Sequence, residues 1–276
     1  FQGFPEKALA AEAERNPSYN IKKGFRYLKH YGFRDFMARL MERFEEREVH
    51  YQEYYESCRP SEEELRKQRK RTWNRPVTIS VIVPAYRTPE TFLGQMIESV
   101  LNQTYPYLEL CIADGSGEEE SVRKIVEEYQ QKDGRIRYRK LEENLGIADN
   151  TNAAMALASG EYLALFDHDD LLAPDALYEV AKRIEETDAD VLYTDEDKVT
   201  PDLKEHFQPH FKPDFNPDLL RSNNYICHLF VVKRSVKEKV GGQDKAYDGA
   251  QDYDFVFRCT EAAKRIEHIP KVLYHW

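Results

Sequence analysis

Tyr162-Leu-Ala-Leu-Phe-Asp-His-Asp-Asp-Leu-Leu-Ala-Pro174 is the stretch on which the reading of the fold turns. Apolar residues run into Asp167, His168, Asp169 and Asp170, and Pro174 opens a helical pattern. A buried strand that ends in three carboxylates crowds like charges, which is costly unless a cation neutralises them. Hard divalent ions such as Mg2+ and Mn2+ take oxygen ligands and commonly bridge carboxylates to substrate phosphates. In open α/β sheets, ligands sit at the carboxyl ends of strands, where these aspartates fall. One aspartate suffices to cap the following helix. Three in four residues exceed that need, so a metal site is expected here, with capping a secondary role of Asp170.

Working outward, strand-like and helix-like segments alternate from Thr78 onward. Strands are expected at 78–85, 108–113, 136–141, at the run into Asp167, and at 190–193; helices are expected at 89–103, 118–131, 146–158 and 174–186. That rhythm implies right-handed βαβ units and a mainly parallel sheet in an α/β domain. It breaks at 195–224, rich in Pro, Asp, Asn and Phe, and long irregular segments in compact domains are usually functional. A strand at 227–233, a helix at 250–263 and a last strand toward Tyr274 close the chain.

Residues 4–75 read as a helical N-terminal extension, and Phe1-Gln2-Gly3 as a tag remnant. Phe33, Phe36, Met37, Leu40, Met41 and Phe44 form one apolar helical face, and Ser61 with Glu64 makes a capping-box pattern. Such helices suit a membrane surface or a protein partner. Packing of the apolar face on the main domain or on another helix is the preferred expectation.

Composition narrows the class. Apolar residues make up 41% and charged residues 33%, as in a soluble globular protein, and no apolar run is long enough to span a bilayer. Cys58, Cys111, Cys227 and Cys259 are widely spaced, which favours reduced thiols and a cytoplasmic setting over disulfides or zinc. Residues 1–76 hold 17 Lys/Arg against 13 Asp/Glu, and the remainder 23 against 37. So acidic a domain is a poor match for nucleic acid. It can still take a compact diphosphate if a metal supplies positive charge.

Three expected strand ends converge on one edge: Pro84-Ala-Tyr86, Asp114-Gly-Ser116 and Asp167-His-Asp169. They offer a ring, a carboxylate for a base or ribose proton, and glycines that permit close backbone approach. Asn144-Leu-Gly146 adds an amide. Asp195, Glu196 and Asp197 form a second acidic cluster, expected at a strand end and read either as lining a donor-sugar side or as a solvated turn. His228 is a candidate contact to acceptor or phosphate, or a core histidine. His206 and His210 are candidate lid residues.

The ordered set Ile79-Ser-Val-Ile-Val-Pro-Ala-Tyr86, Ser99-Val-Leu-Asn-Gln-Thr-Tyr105, Ala113-Asp-Gly-Ser116, Asn144-Leu-Gly146, Ala158-Ser-Gly-Glu161, Asp167-His-Asp-Asp170 and Gln251-Asp-Tyr-Asp254 resembles the family 2 glycosyltransferases of GT-A fold. It looks most like the bacterial branch that builds rhamnan, O-antigen and other surface polysaccharides. The resemblance implies a Rossmann-like three-layer domain at 76–276, with a nucleotide-binding half at 76–170 and an acceptor-side half at 171–276. It implies inverting transfer of a sugar from a UDP- or dTDP-sugar to a hydroxyl of a glycan or lipid-linked glycan, with Mn2+ or Mg2+ as cofactor. Localisation would then be cytoplasmic, either free or peripheral at the inner membrane face.

By the same resemblance, Pro84, Ala85, Tyr86, Asp114, Asn144, Asp167 and His168 hold the nucleotide, and Asp167, Asp169 and His275 hold the metal. Asp252 is the general base. Asp195, Glu196, His228, Gln251 and Asp254 line the donor and acceptor side. Gln251 departs from the Glu usual in the family. Two other functions compete with this one. An apolar strand into Asp-x-Asp also opens haloacid-dehalogenase-type phosphotransferases, although three strands precede it here. A non-catalytic glycan-binding scaffold is the other.

Overall fold

In the computed structural model, residues 51–276 are described, and Tyr51–Trp276 forms one compact unit. The tag remnant and the Phe33–Phe44 helical face lie outside the described residues.

Strands β1 (Ile79–Ala85), β2 (Leu108–Asp114), β3 (Ile136–Lys140) and β4 (Tyr162–Leu165) run parallel in the order β3-β2-β1-β4. Both β1 and β2 are buried along their whole length, as expected of central strands with helices on both faces. Helices α3 (Glu90–Leu101), α4 (Ser121–Gln130), α5 (Ile147–Met155) and α6 (Ala176–Thr187) supply those layers. Val81 and Val83 face Leu93 and Ile97, while Ile82 and Cys111 face Ala154 and Met155 on the other side. Each such fully buried aliphatic side chain contributes roughly 1.5–3 kcal/mol. Register pairs Ala85 with Asp114, so the functional ends of β1 and β2 finish side by side.

The second half departs from the parallel rule. β8 (Phe230–Lys233) joins β4 antiparallel, and β6 (Val191–Val199) joins β8 antiparallel. β9 (Ile266–His275) lies parallel to β6, while β5 (Leu171–Leu172) and β7 (His206–His210) pair antiparallel with β9 and β6. This mixed edge curls past the end of β4 and brings the chain's last residues to the acidic stretch.

Local readings need correction here. The strand expected at 190–193 continues to Val199, so Asp195, Glu196 and Asp197 lie buried inside it; the solvated-turn alternative is excluded. The segment at 195–224 carries β7 and α7 (Pro217–Ser222), the latter capped by the Asn216 side chain. The strand expected at 227–233 begins at Phe230, and α8 (Arg234–Val240) follows it unforeseen. Helix α9 (Gln251–Ala262) precedes β9.

The Ala158–Glu161 motif has a structural job. Glu109, buried in β2, accepts hydrogen bonds from Ser80 Oγ (2.6 Å) and the Gly160 amide (3.0 Å). A Cβ on Gly160 would meet Thr78 O at 2.5 Å, so only glycine lets this turn press against β1.

Helices α1 (Tyr51–Cys58) and α2 (Glu62–Arg69) belong to this same unit. The Ser61–Glu64 capping box forms, and Leu65 is buried. Just past α2, Arg71 pairs with Glu185 at 2.7 Å and lies 4.1 Å from the Trp73 ring. Tyr51 and Tyr55 of α1 are buried against the sheet edge. Among the described residues, no helix is long and apolar enough to cross a membrane.

Candidate active site

At the end of β2, buried Asp114 is held by three donors. Its Oδ1 accepts from the Ser116 amide at 2.8 Å, and its Oδ2 accepts from Tyr138 Oη (2.7 Å) and Lys140 Nζ (3.0 Å). Pro84 and Ala85 finish β1, and Tyr86 beyond them is 41% exposed, with the Arg87 guanidinium 5.2 Å from its ring centre. A Cβ on Gly115 would meet Asn150 Nδ2 at 2.7 Å. Asn144 is exposed, its Oδ1 accepting from Asn150 Nδ2 (2.8 Å) and the Gly146 amide (3.1 Å). Asn144 therefore braces the start of α5.

The acidic stretch divides its labour. Asp170 is buried and accepts from Tyr274 Oη at 2.6 Å, while the Asp167 amide donates to the same oxygen at 3.4 Å. The side chains of Asp167 and Asp169 remain 44% and 35% exposed. His228 Nε2 lies 3.6 Å from Asp167 Oδ2, and its Nδ1 is buried without a hydrogen-bond partner. Its ring stacks on Tyr274 (4.7 Å, 12°) and is edged by Trp276 (5.2 Å, 68°). The His168 Nδ1 is likewise buried without a partner. Burial and the charges of Asp167 and Asp170 raise the Tyr274 phenol well above its ordinary pKa.

Across the cleft, α9 carries Gln251, Asp252 and Asp254 in its first turn. Gln251 Oε1 accepts from the Gly249 amide at 2.7 Å. Asp254 is consumed by Arg258 (2.5 and 2.9 Å), whose guanidinium also reaches Val240 O and Gly242 O. Asp252 accepts a longer bond from Asn224 Nδ2 at 3.2 Å. Burial, then the charges of Glu196, Asp252 and Asp167, push the Cys227 thiol up to about 12.

The buried cluster of β6 is neutralised from several elements. Asp195 Oδ1 accepts from the Lys212 amide and from His268 Nε2, both at 2.9 Å. Glu196 takes Lys212 Nζ at 2.9 Å, and that ammonium also reaches Ile226 O and His228 O. Burial lowers the pKa of Lys212 while Glu196 opposes the shift. Asp197 accepts from Tyr51 Oη (2.6 Å), His275 Nδ1 (2.5 Å) and His206 Nδ1 (2.9 Å). Burial would raise Asp197, but these partners hold it below the ordinary carboxylate value. His275 therefore meets Asp197 and His206. Among the described residues, those three form the one group of three metal-competent side chains lying within 4.8 Å of one another; Asp167 and Asp169 stand apart from it. His210 meets Glu196 at 3.2 Å.

Sequence reasoning missed Tyr274, Lys212, Asn224, Tyr138 and Lys140. Tyr274 was discoverable, since alternation along β9 puts it on one face with Trp276. The others depend on long-range pairing.

A three-layer sheet with carboxylates gathered at its strand ends is the GT-A architecture of sugar-nucleotide enzymes. The chain belongs to the family 2 glycosyltransferases: residues 80–241 match the family model described as glycosyl transferase family 2. It is 36% identical over 199 residues to the O-antigen biosynthesis protein RfbC of Myxococcus xanthus, covering 71% of this chain and 16% of that protein. Among solved structures it resembles S. aureus TarS in complex with UDP (TM-score 0.62, 23% identity, 72% of this chain and 60% of that one). It also resembles the mannosyltransferase PcManGT of Pyrobaculum calidifontis in complex with GDP-Man and Mn2+ (TM-score 0.57, 19% identity, 77% and 62%).

Proposed function

We propose that this chain is a metal-dependent inverting glycosyltransferase that moves a sugar from a UDP- or dTDP-sugar to a hydroxyl of a growing surface glycan. The observation that carries the reading is the pair of part-exposed carboxylates Asp167 and Asp169 just past β4, with Asp170 beside them fixed by Tyr274 Oη at 2.6 Å. The nucleotide and glycan assignments draw on the UDP in TarS and on the O-antigen role of RfbC.

The donor set suits Mn2+ or Mg2+, because Asp167 and Asp169 offer half-exposed hard oxygens. Such an ion, when bound, stabilises negative charge growing on the departing diphosphate. His275, which the sequence resemblance adds to that ion, is engaged elsewhere by Asp197 and His206. Asp114, paired with Lys140 at 3.0 Å, accepts a hydrogen bond from the nucleoside, and the exposed Tyr86 ring packs on the base. His228 Nε2, beside Asp167, is positioned to donate to a phosphate oxygen.

Asp252 takes the proton of the attacking hydroxyl. The acceptor oxygen forms its bond to the anomeric carbon as the bond from that carbon to the diphosphate oxygen breaks, and the electron pair leaves with the diphosphate. Attack from the face opposite the leaving group inverts the anomeric centre. Asn224 orients the Asp252 carboxylate, and Asp254 holds α9 in place through Arg258.

A thermal-shift panel of UDP, dTDP, GDP and ADP, each with and without Mn2+, tests the reading, because a ligand that binds only the folded form raises the melting point. UDP or dTDP with Mn2+ is expected to stabilise most. Equal and metal-independent shifts for all four would overturn the assignment.

A further inference from the structure

Three adjacent strands, β7, β6 and β9, bring His206, Asp197 and His275 to one buried point, through the register pairs Val199 with His206 and Asp197 with His275. We propose that these three side chains form a second divalent-metal site, separate from the Asp167–Asp169 corner and selective for Zn2+ or Co2+ over Mg2+. Two imidazole nitrogens and one carboxylate oxygen are the donor set of zinc-type ions, whereas an all-carboxylate corner favours Mg2+ or Mn2+.

The geometry is close to what a metal needs. The two imidazole Nδ1 atoms lie 2.5 and 2.9 Å from the Asp197 oxygens, and all three donor atoms fall within 4.8 Å of one another. Tetrahedral ligands at roughly 2.0–2.1 Å from zinc stand about 3.3 Å apart, so side-chain shifts of less than about 1 Å open the site. With Nδ1 on the ion, the His275 ring carries its proton on Nε2, which lies 3.3 Å from Tyr55 Oη and can donate a hydrogen bond to it. A partner on the far nitrogen is how metal-bound histidines are oriented. His206 is held flat by Tyr55 stacking at 3.7 Å and 25°. Tyr51 Oη donates to Asp197 Oδ2 at 2.6 Å and so orients that carboxylate.

Both tyrosines come from α1, so the ion ties that helix to the sheet edge. The site stands independently of the proposed transfer chemistry.

Calorimetric titration of the full chain with ZnCl2 and with MgCl2, together with the visible absorption of bound Co2+, tests it. One equivalent of Zn2+ should bind to the parent and to Asp169→Asn alike. Affinity should fall at least tenfold in His206→Ala and in the more conservative His206→Gln, each checked for a native circular-dichroism spectrum. The four- to five-coordinate Co2+ absorption should vanish in both. No saturable Zn2+ binding, binding indifferent to both His206 variants, or binding lost in Asp169→Asn would overturn the proposal. Loss in Asp169→Asn alone would mean that the ion sits at the β4 corner, leaving the transfer reading intact.

Discussion

Tyr274 donates its hydroxyl to Asp170 Oδ2 at 2.6 Å while accepting the Asp167 amide, so one buried phenol from β9 fixes both ends of the acidic turn after β4. The last strand thereby sets how Asp167 and Asp169 are presented.

Tyr274→Phe removes that donor and keeps the packing on Phe166 and His228. Stability should fall by about 1 kcal/mol, the usual net worth of one hydrogen bond. Mn2+-dependent nucleotide affinity should fall with it as the turn loosens. Urea denaturation and a Mn2+ titration read the two effects separately.

Asp252 and Asp254 should part company. Asp252→Asn should reduce sugar transfer about 10²–10⁴-fold, the range expected on losing a general base, with little change in urea midpoint. Asp254→Asn, which breaks the Arg258 pair, should instead cost about 1–3 kcal/mol of stability. Steady-state kinetics beside denaturation curves for both variants make the comparison.

Gly160→Ala should destabilise by about 1–3 kcal/mol, since the added methyl meets Thr78 O at 2.5 Å with β1 behind it. The same change at Gly134, which has open space around it, serves as the control in the urea series.

Asp175 is buried in the wall that joins α6 to α1 and α2, and its Oδ1 has no hydrogen-bond partner. Burial raises its pKa above the ordinary 3.8. The folded form then holds a proton that the unfolded form has already released, so stability falls as pH rises from about 3.8 through the raised value. Asp175→Asn should raise the melting midpoint at pH 7, and the gain should shrink toward pH 4. Melting curves across that range check the sign.

β1, β2 and β4 were legible as short apolar runs and β3, Ile136-Arg-Tyr-Arg-Lys140, by its alternation, and the order of the motifs around them carried the family resemblance. The acidic run of β6 was not. A carboxylate inside a strand looks like a solvated turn until its partners are known, and Lys212, His268, His206 and His275 reach it from other segments. The choice between Asp252 and Asp254 could have been sharpened, since Arg258 lies one helical turn beyond Asp254. The antiparallel entry of β8 was invisible, because a short buried strand does not declare its direction. The helical extension was legible at Ser61–Glu64, where capping is local, and the burial of Tyr51 and Tyr55 was not, because it depends on β6 and β9.

The central claim, that Asp167 and Asp169 present an ion to the diphosphate of an activated sugar, is met most directly by calorimetry of UDP and dTDP binding in Mn2+ with the parent and Asp169→Asn. The account predicts one nucleotide per parent chain, with affinity dependent on Mn2+ and weakened at least about tenfold, or 1.4 kcal/mol, by the substitution. Equal affinity in the two proteins, with or without Mn2+, would contradict it.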